Sequence, residues 1–343
     1  MSASSWLAFT PRDTIFVRDG RSFNASADRF GQSVRPGPAT TAGAVGAAYG
    51  KEPDEVRGPV LAHHIGDGWE PYFPVPADLV KTADDPGYAY RLTPQPVGQA
   101  VLDGPAPMPY LLMAPEHAEP VSQVEGWVPG PVLASYLSGK LPGAEGAPLS
   151  ALEIEDKPLQ NEQRIGLARD GRSTREGFLY QAEHLRLRDG WAVLAECTGD
   201  KPLELAKDHV QFGGKGRLAD VGIADMSWPQ PDTAIGQRVL VYLATPAIWP
   251  DGWRIPVPDG ARLVAAATGK PEPVATVKPG PGWEESRTLR WAVPVGSVYL
   301  LEFTSAEAGA EWARRWHGVA YGRGDTDRLR TAGFGVVLTG AWT

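Results

Sequence analysis

A chain of 343 residues with 42% hydrophobic content can build one large domain or two of ordinary size, and it holds no apolar run of about 18 residues, which excludes a membrane helix. Its formal net charge of −8 excludes a protein held on nucleic acid by its bulk field, so any polyanion site has to be local. The lone Cys197 excludes an internal disulfide framework and any multi-cysteine metal site.

Met1 to Thr10 lacks the basic start and long apolar core of a signal peptide, so a cytoplasmic protein is expected, and 40 glycines with 33 prolines predict many ordered loops around short elements. Trp6 to Thr10 predicts a first strand. The stretch from Phe16 to Tyr49 follows, and the chain is organised around it. Asp19-Gly20 and Pro36-Gly37-Pro38 are turn signals, which puts Arg18, Arg21 and Arg35 on loops with their guanidinium groups able to meet a ligand. After Pro38, Thr40 or Thr41 can cap a helix of small residues from Ala42 to Ala48. Its free N–H groups and positive dipole end suit a phosphate. Gly43 and Gly46 there either admit a close backbone or only permit tight packing of the helix on a sheet.

Pro53 to Pro131 reads as insertion loops with short strands, and Val132 to Leu137 as a helical turn or two. Phe178 to Thr198 places two apolar runs around Asp189-Gly190, predicting a tight β-hairpin with Cys197 as a buried, inert thiol. A short helix is expected over Leu203 to His209, then the glycine-rich Phe212 to Gly222 and a strand. Trp228-Pro229-Gln230-Pro231-Asp232 suits a joint between a first domain, 1–228, and a second, 234–343. The second shows strands over Arg238 to Ala244, Arg262 to Ala267, Arg290 to Val293 and Ser297 to Phe303. A helix from Ala306 to Trp316 follows, capped by Ser305, with Ala306, Ala310, Ala313 and Trp312 or Trp316 for its buried stripe. Val336 to Thr339 closes the chain as a strand. Both halves end in helix, glycine-rich basic segment and strand, so the expected class is α+β, with a β-α-β-β-α-β unit used twice and long loop and hairpin insertions.

Charge is distributed unevenly. Arg12 to Arg35 carries five arginines against Asp13, Asp19 and Asp28, and Arg164 to Arg175 carries four against Asp170. The pentapeptide RDGRS occurs at Arg18 to Ser22 and again at Arg169 to Ser173, read as repeated turn chemistry. Enzyme motifs fail their tests. Gly214-Lys215-Gly216-Arg217-Leu218-Ala219 fits the loose dinucleotide pattern, but no second parallel strand with a ribose-binding acid follows, and the Ser or Thr required after the lysine of an NTPase loop is missing. None of His63, His64, His117, His184, His209 and His317 has the spacing of a helical zinc site. None is expected beside the arginine clusters, His63-His64 following the small-residue helix by many residues. Asp84-Asp85 and Asp325 with Asp327 read as surface pairs. No catalytic residue, cofactor or metal is expected.

FVRDGRSF with PGPATTAGAVG, QRIGLARDGRSTREGFLY, FGGKGRLADV and AGFGVVLTG together resemble, over nearly the whole chain, the third subunit of the Cmr complex of type III-B CRISPR effectors, in the RAMP superfamily. The resemblance implies two ferredoxin-like (RRM-like) domains, no catalysis of its own and a seat for the repeat-derived 5′ tag of the guide RNA (crRNA). It also implies contacts with the large polymerase-like CRISPR subunit and with a backbone RAMP subunit. The chain departs from the family pattern at Ser22 and Gly46, and in showing no clear first helix in its second unit. The phosphate contacts expected first are Arg18, Arg21, Arg35 and the helix start Thr40, Thr41 and Gly43; Arg164, Arg169, Arg175, Lys215 and Arg217 come second. Two alternatives stay open: a RAMP-type endoribonuclease processing precursor crRNA through a histidine, and a scaffold whose arginines meet acidic partner surfaces.

Overall fold

The computed structural model describes all residues except 1–2, 19–29, 32, 97–109, 115–119, 144, 200–203, 278–286, 323–326 and 343. The chain is α+β, with mostly antiparallel strands and few helices, and divides into two compact units. The first comprises 1–69, 157–225 and 272–292, the second 70–156, 226–271 and 293–343. No helix among the described residues is long and apolar enough to cross a membrane.

In chain order the first unit contains β1 (Ala3–Pro11), α1 (Pro38–Tyr49), β2 (Glu55–Ile65), β3 (Leu159–Asp170), β4 (Ser173–Leu187), β5 (Trp191–Gly199), β6 (His209–Gln211) and β7 (Leu218–Ala224). β1 pairs antiparallel with β5 and β7, β5 with β2, and β6 with β7. All nine residues of β5 are buried, which is why it reads as an unbroken apolar run rather than an alternating one. Burial pushes the Cys197 thiol up to about 12, matching the inert role expected of it. α1 buries Thr41, Ala44, Val45, Ala48 and Tyr49, a stripe at helical spacing, and stops at Gly50 in the left-handed region.

Two expectations fail here for identifiable reasons. β2, 11 residues long, lies inside the stretch read as insertion loops with short strands, where Gly58-Pro59 has the pattern of a turn. In the fold these two residues form a bulge opposite Ala195, where the register passes from Leu194↔Val60 to Glu196↔Arg57. Gly58 has φ +150°, and a Cβ there would stand 3.0 Å from the Leu194 oxygen, so the bulge needs glycine. Second, Asp189-Gly190 does not close a hairpin. It turns the chain, with Trp191 N–H donating to the Arg188 carbonyl at 3.1 Å, but β4 pairs with β3 whereas β5 pairs with β1 and β2. The hairpin turn is at Gly171, φ +60°, within the second RDGRS. A turn signal marks a reversal without specifying which strands pair.

The second unit contains β8 (Arg238–Leu243), β9 (Ala261–Ala267), β10 (Val298–Phe303), α2 (Ala306–Trp316) and β11 (Val336–Ala341), with β8 between β10 and β11 and β9 on β10. In each unit the four main strands, counted along the chain, lie in the order 2-3-1-4. Among the described residues, the crossover helix of the first unit is α1, in its first crossover, and α2 lies in the last crossover of the second. The short helix expected near 203–209 is absent from the described part, where 204–208 is irregular and His209 opens β6. α2 has the expected cap, Ser305 accepting from Ala308 N–H at 3.2 Å. Its buried stripe is Gly309, Trp312 and Ala313, while Ala306 is exposed. The stripe rotates because Gly309, lacking a Cβ, lets the helix settle against the Gly236 carbonyl, which any side chain would strike. Arg290 to Ala292 does form a strand, within Arg287–Ala292, but it pairs with Glu272–Val277 as a two-stranded ribbon belonging to the first unit.

A buried ion pair holds the smaller elements of the second unit. Asp78 accepts from Tyr136 Oη at 2.7 Å and from Arg91 Nε at 3.0 Å, and the Arg91 guanidinium lies 4.4 Å above the Tyr136 ring. Removing one partner of such a set strands the other charge. Asp78→Ala should therefore cost about 3–5 kcal/mol, read as a lowered denaturant midpoint with unchanged slope. A loss under about 1 kcal/mol would show that Arg91 finds water instead.

Candidate nucleic-acid interface

Residues 12 to 18, following β1, are fastened at every position. Arg12 Nε donates to Asp220 at 2.8 Å and its N–H to the Leu218 carbonyl at 3.0 Å. Thr14 Oγ1 meets His184 Nδ1 at 2.9 Å. Ile15 and Leu185 exchange both backbone hydrogen bonds, at 2.7 and 2.9 Å, which docks the β3–β4 hairpin. The Phe16 carbonyl accepts from Gly214 N–H at 2.7 Å, and the Val17 carbonyl from Val34 N–H at 2.7 Å. Arg18 bridges to Ser33, whose hydroxyl also engages Val17. One short segment thus ties the hairpin, the glycine loop and the lead-in to α1 together.

Asp13 is where the charges meet. Its carboxylate accepts from Arg164 Nη2 at 2.9 Å, Arg186 Nη2 at 2.8 Å and Arg217 Nη1 at 2.6 Å, while Glu162 accepts from Arg164 Nε at 2.7 Å and Arg186 Nε at 2.6 Å. Burial pushes the Asp13 carboxyl up, but hydrogen bonds from Arg186 and Arg164 outweigh it and hold the group below the usual carboxylate range. Lys215 adds a fourth cation, its ammonium 4.6 Å from the centre of the Phe16 ring. Three guanidinium groups and an ammonium thus converge on the two carboxylates of Asp13 and Glu162 and the ring of Phe16.

The glycine loop positions Lys215 and Arg217 by backbone strain and close approach. Phe212 N–H donates to the Arg217 carbonyl at 2.8 Å, closing the β6–β7 connection, and the Phe212 ring stacks 5.3 Å from Phe9. Gly213, φ +91°, runs so close to Phe16 that a Cβ would sit 2.7 Å from its oxygen. Lys215 itself is left-handed at φ +56°, a conformation uncommon for a residue with a side chain.

The helix start departs from expectation. α1 begins at Pro38 with Gly37 as N-cap, so neither threonine caps it. Thr41 is buried and donates its hydroxyl to the Gly37 carbonyl at 3.1 Å; Thr40 is half-exposed in the first turn. Gly43 faces outward, and a Cβ there would have no atom within 4 Å, so it is not a device for packing the helix on the sheet. Arg18 and Arg35 are exposed, and Arg35 Nη2 reaches Glu272 at 3.4 Å. Arg21 lies outside the described residues, as does the side chain of Arg175. Arg169 is exposed by the Gly171 turn, five residues beyond Arg164 and so about 16 Å further along the strand. The fold therefore gathers Arg164, Lys215 and Arg217, joins them through residues 12–18 to Arg18, and leaves Arg169 at the hairpin tip.

Asp13, Glu162, Arg186 and His184 were not singled out by the sequence. For Arg186 the available signal is its place two residues from His184 in the alternation of β4; the partners of Asp13 lie 151, 173 and 204 residues away. The expectation that no histidine stands beside the arginines is also corrected: His184, 2% exposed, lies 4.7 Å from the Phe16 ring. Burial, then the charges of Arg217, Arg164 and Lys215, push its imidazole down to about 4. His63 stacks on Trp191 at 5.1 Å and His64 meets the Trp69 ring edge-on at 4.9 Å, as structural histidines do. Among the described residues, no group of three or more His, Cys, Asp or Glu is placed to hold a metal ion.

A family model described as CRISPR-associated protein (Cas_Cmr3) matches residues 7–342. Two solved structures are similar. A chain of the cryo-EM structure of the type III-B Cmr-beta bound to cognate target RNA and AMPPnP shares 15% identity over 86% of each chain, with a TM-score of 0.48. A chain of the same assembly bound to cognate target RNA shares 14% over 86% of each, with a TM-score of 0.47. No curated protein matches the chain.

His184 makes the site sensitive to acid. Its folded value is depressed, so the unfolded chain binds more protons between about 6.5 and about 4, and stability falls as pH drops through that window by up to roughly 1.4 kcal/mol per pH unit. Asp13 is also depressed, and its contribution, present above the usual carboxylate value, is lost only at lower pH. His184→Gln, which keeps a polar partner for Thr14, should flatten the fall between pH 6.5 and 4.5 in denaturant titrations. Equal slopes in both proteins would place the proton uptake elsewhere.

Proposed function

Since the chain belongs to the Cas_Cmr3 family of CRISPR-associated proteins, we propose that it is a non-catalytic RNA-binding subunit of a type III-B effector complex. It seats the repeat-derived 5′ tag of the guide RNA and bridges the large polymerase-like subunit to the backbone filament. The two sheets are read as ferredoxin-like units, each keeping one of its two crossover helices. The observation that carries the reading is the convergence of Arg164, Arg186 and Arg217 on Asp13, in a segment that runs on to Arg18 and the lead-in to α1, in a chain whose net charge is −8. Guanidinium groups, an ammonium and free helix N–H groups are what phosphates of a single strand require, and none of them reads base identity. Arg21 and Arg175 remain proposed members of the same seat, with Arg169 extending it along the hairpin.

The endoribonuclease alternative needs a histidine that exchanges protons near neutrality. His184 stands by the arginines but is buried and held neutral, which favours a role in packing.

Lys215→Ala in the reconstituted complex should weaken guide retention to a similar degree for every tag sequence, and flatten the dependence of log affinity on log salt by about 0.7. A sequence-dependent loss with an unchanged salt slope would assign Lys215 to base reading. Incubation of the full chain with precursor RNA and a divalent metal should give no cleavage product. Cleavage abolished by His184→Ala or His63→Ala would establish the nuclease instead.

A further inference from the structure

Arg186 reaches the Asp13 cluster from β4, and the β3–β4 register puts it on the same face as Glu162 and Arg164. Glu162 serves both arginines with one oxygen each: Oε1 accepts from Arg164 Nε at 2.7 Å and Oε2 from Arg186 Nε at 2.6 Å, while Asp13 accepts from Nη2 of both. Each guanidinium is therefore gripped along its Nε–Nη2 edge by two carboxylates, and among the described residues its Nη1 meets no acceptor. The guanidinium is a rigid plane, so fixing one edge fixes the direction of the donors that remain. Arg186 is the most exposed of the three arginines on Asp13, its side chain 42% accessible against 31% for Arg164 and 24% for Arg217.

Charge alone does not explain why a surface for phosphates carries two carboxylates, since each repels the ligand. The hairpin is docked by other means: Ile15 and Leu185 exchange two backbone hydrogen bonds, and His184, Leu185 and Leu187 are buried beside them. Ion pairs as exposed as these add little to stability. What the carboxylates change is freedom. A long side chain that a ligand has to order loses rotamer entropy on binding, whereas one already held by two acceptors has lost it on folding.

We propose that Arg186 is a phosphate ligand of the guide RNA and that Glu162 is its positioning residue, a carboxylate that helps a polyanion to bind because it acts through the guanidinium groups it aims. The inference rests on the RNA-binding reading above, and adds to it a residue whose effect has the opposite sign to its charge.

The test measures guide retention by competition in the reconstituted complex and thermal melting of the full chain. Glu162→Gln keeps the shape of the side chain but offers one acceptor oxygen to two Nε–H groups, so one arginine is released. Retention should fall by roughly 2- to 12-fold, the cost of ordering one long side chain on binding, although a negative charge beside the RNA has been removed. Arg186→Ala should lower it by roughly 10- to 150-fold, as for one lost charge-assisted hydrogen bond, and Arg186→Lys, which keeps the charge without the fork, should recover only part of that. In the Arg186→Ala background the glutamine of Glu162→Gln still serves Arg164 and should cost nothing further; the same loss in both backgrounds would show that Glu162 does not act through Arg186. Should Glu162→Gln melt well below the wild type, the lysine variant decides, and full recovery by Arg186→Lys would overturn the proposal. Unchanged or tighter retention by Glu162→Gln would overturn it too, as would loss of a partner subunit from a complex that still holds its guide. If Lys215→Ala weakens retention while Arg186→Ala and Glu162→Gln do not, this inference fails and the phosphate seat stands. If none of the three does and no RNA accompanies the complex, the RNA-binding reading fails itself.

Discussion

One carboxylate gathers the basic side chains of the first unit. Three guanidinium groups drawn from β3, β4 and the glycine loop stand within hydrogen-bond distance of Asp13, whose charge offsets their mutual repulsion. The cluster is partly exposed, so each pair adds little to stability and is weakened by salt. What Asp13 contributes is geometry. It fixes the direction of every guanidinium, and Glu162 repeats the constraint on two of them. A bidentate or forked contact loses less side-chain entropy when its donors are already aimed, which is the condition a phosphate-binding surface needs.

That constraint also explains why two basic regions more than a hundred residues apart in sequence form one surface. Residues 12–18 cannot move without disturbing the Ile15–Leu185 pairing, the Phe16–Gly214 contact and the Val17–Val34 bond together. Lys215 and Arg18 are therefore set relative to each other by backbone hydrogen bonds rather than by flexible side chains. The glycines of the loop serve this: Gly213 is required by the approach to Phe16, and the turn that follows forces Lys215 into its left-handed conformation over the ring.

How much of this was legible follows from the range of each signal. β1, β8, the Ser305-capped helix and the burial of Cys197 are decided by residues within a turn or two of one another, and the sequence reads them correctly. The pairing of β4 with β3 rather than β5 is decided by competition among strands, which no local pattern reports; the second RDGRS was the true hairpin turn and was read only as a turn. β2 was hidden because Gly58-Pro59 has the same appearance in a bulge as in a loop. The arginines of the site were visible through composition and turn residues. Their anion was not, since Asp13 carries no motif and its partners arrive from 151 to 204 residues away.

His184 shows what kind of site this pocket can be. An acid–base histidine works best with a value near the operating pH, which calls for a nearby carboxylate or access to water. Here the imidazole is enclosed, and its electrostatic neighbours include Arg217, Arg164 and Lys215, so each of these positive charges moves the ring further from a proton. Its Nδ1 is already engaged by Thr14 and its ring packs on Phe16. A cluster of cations and a proton-exchanging histidine thus make opposite demands on His184, and its burial against Phe16 fits the first.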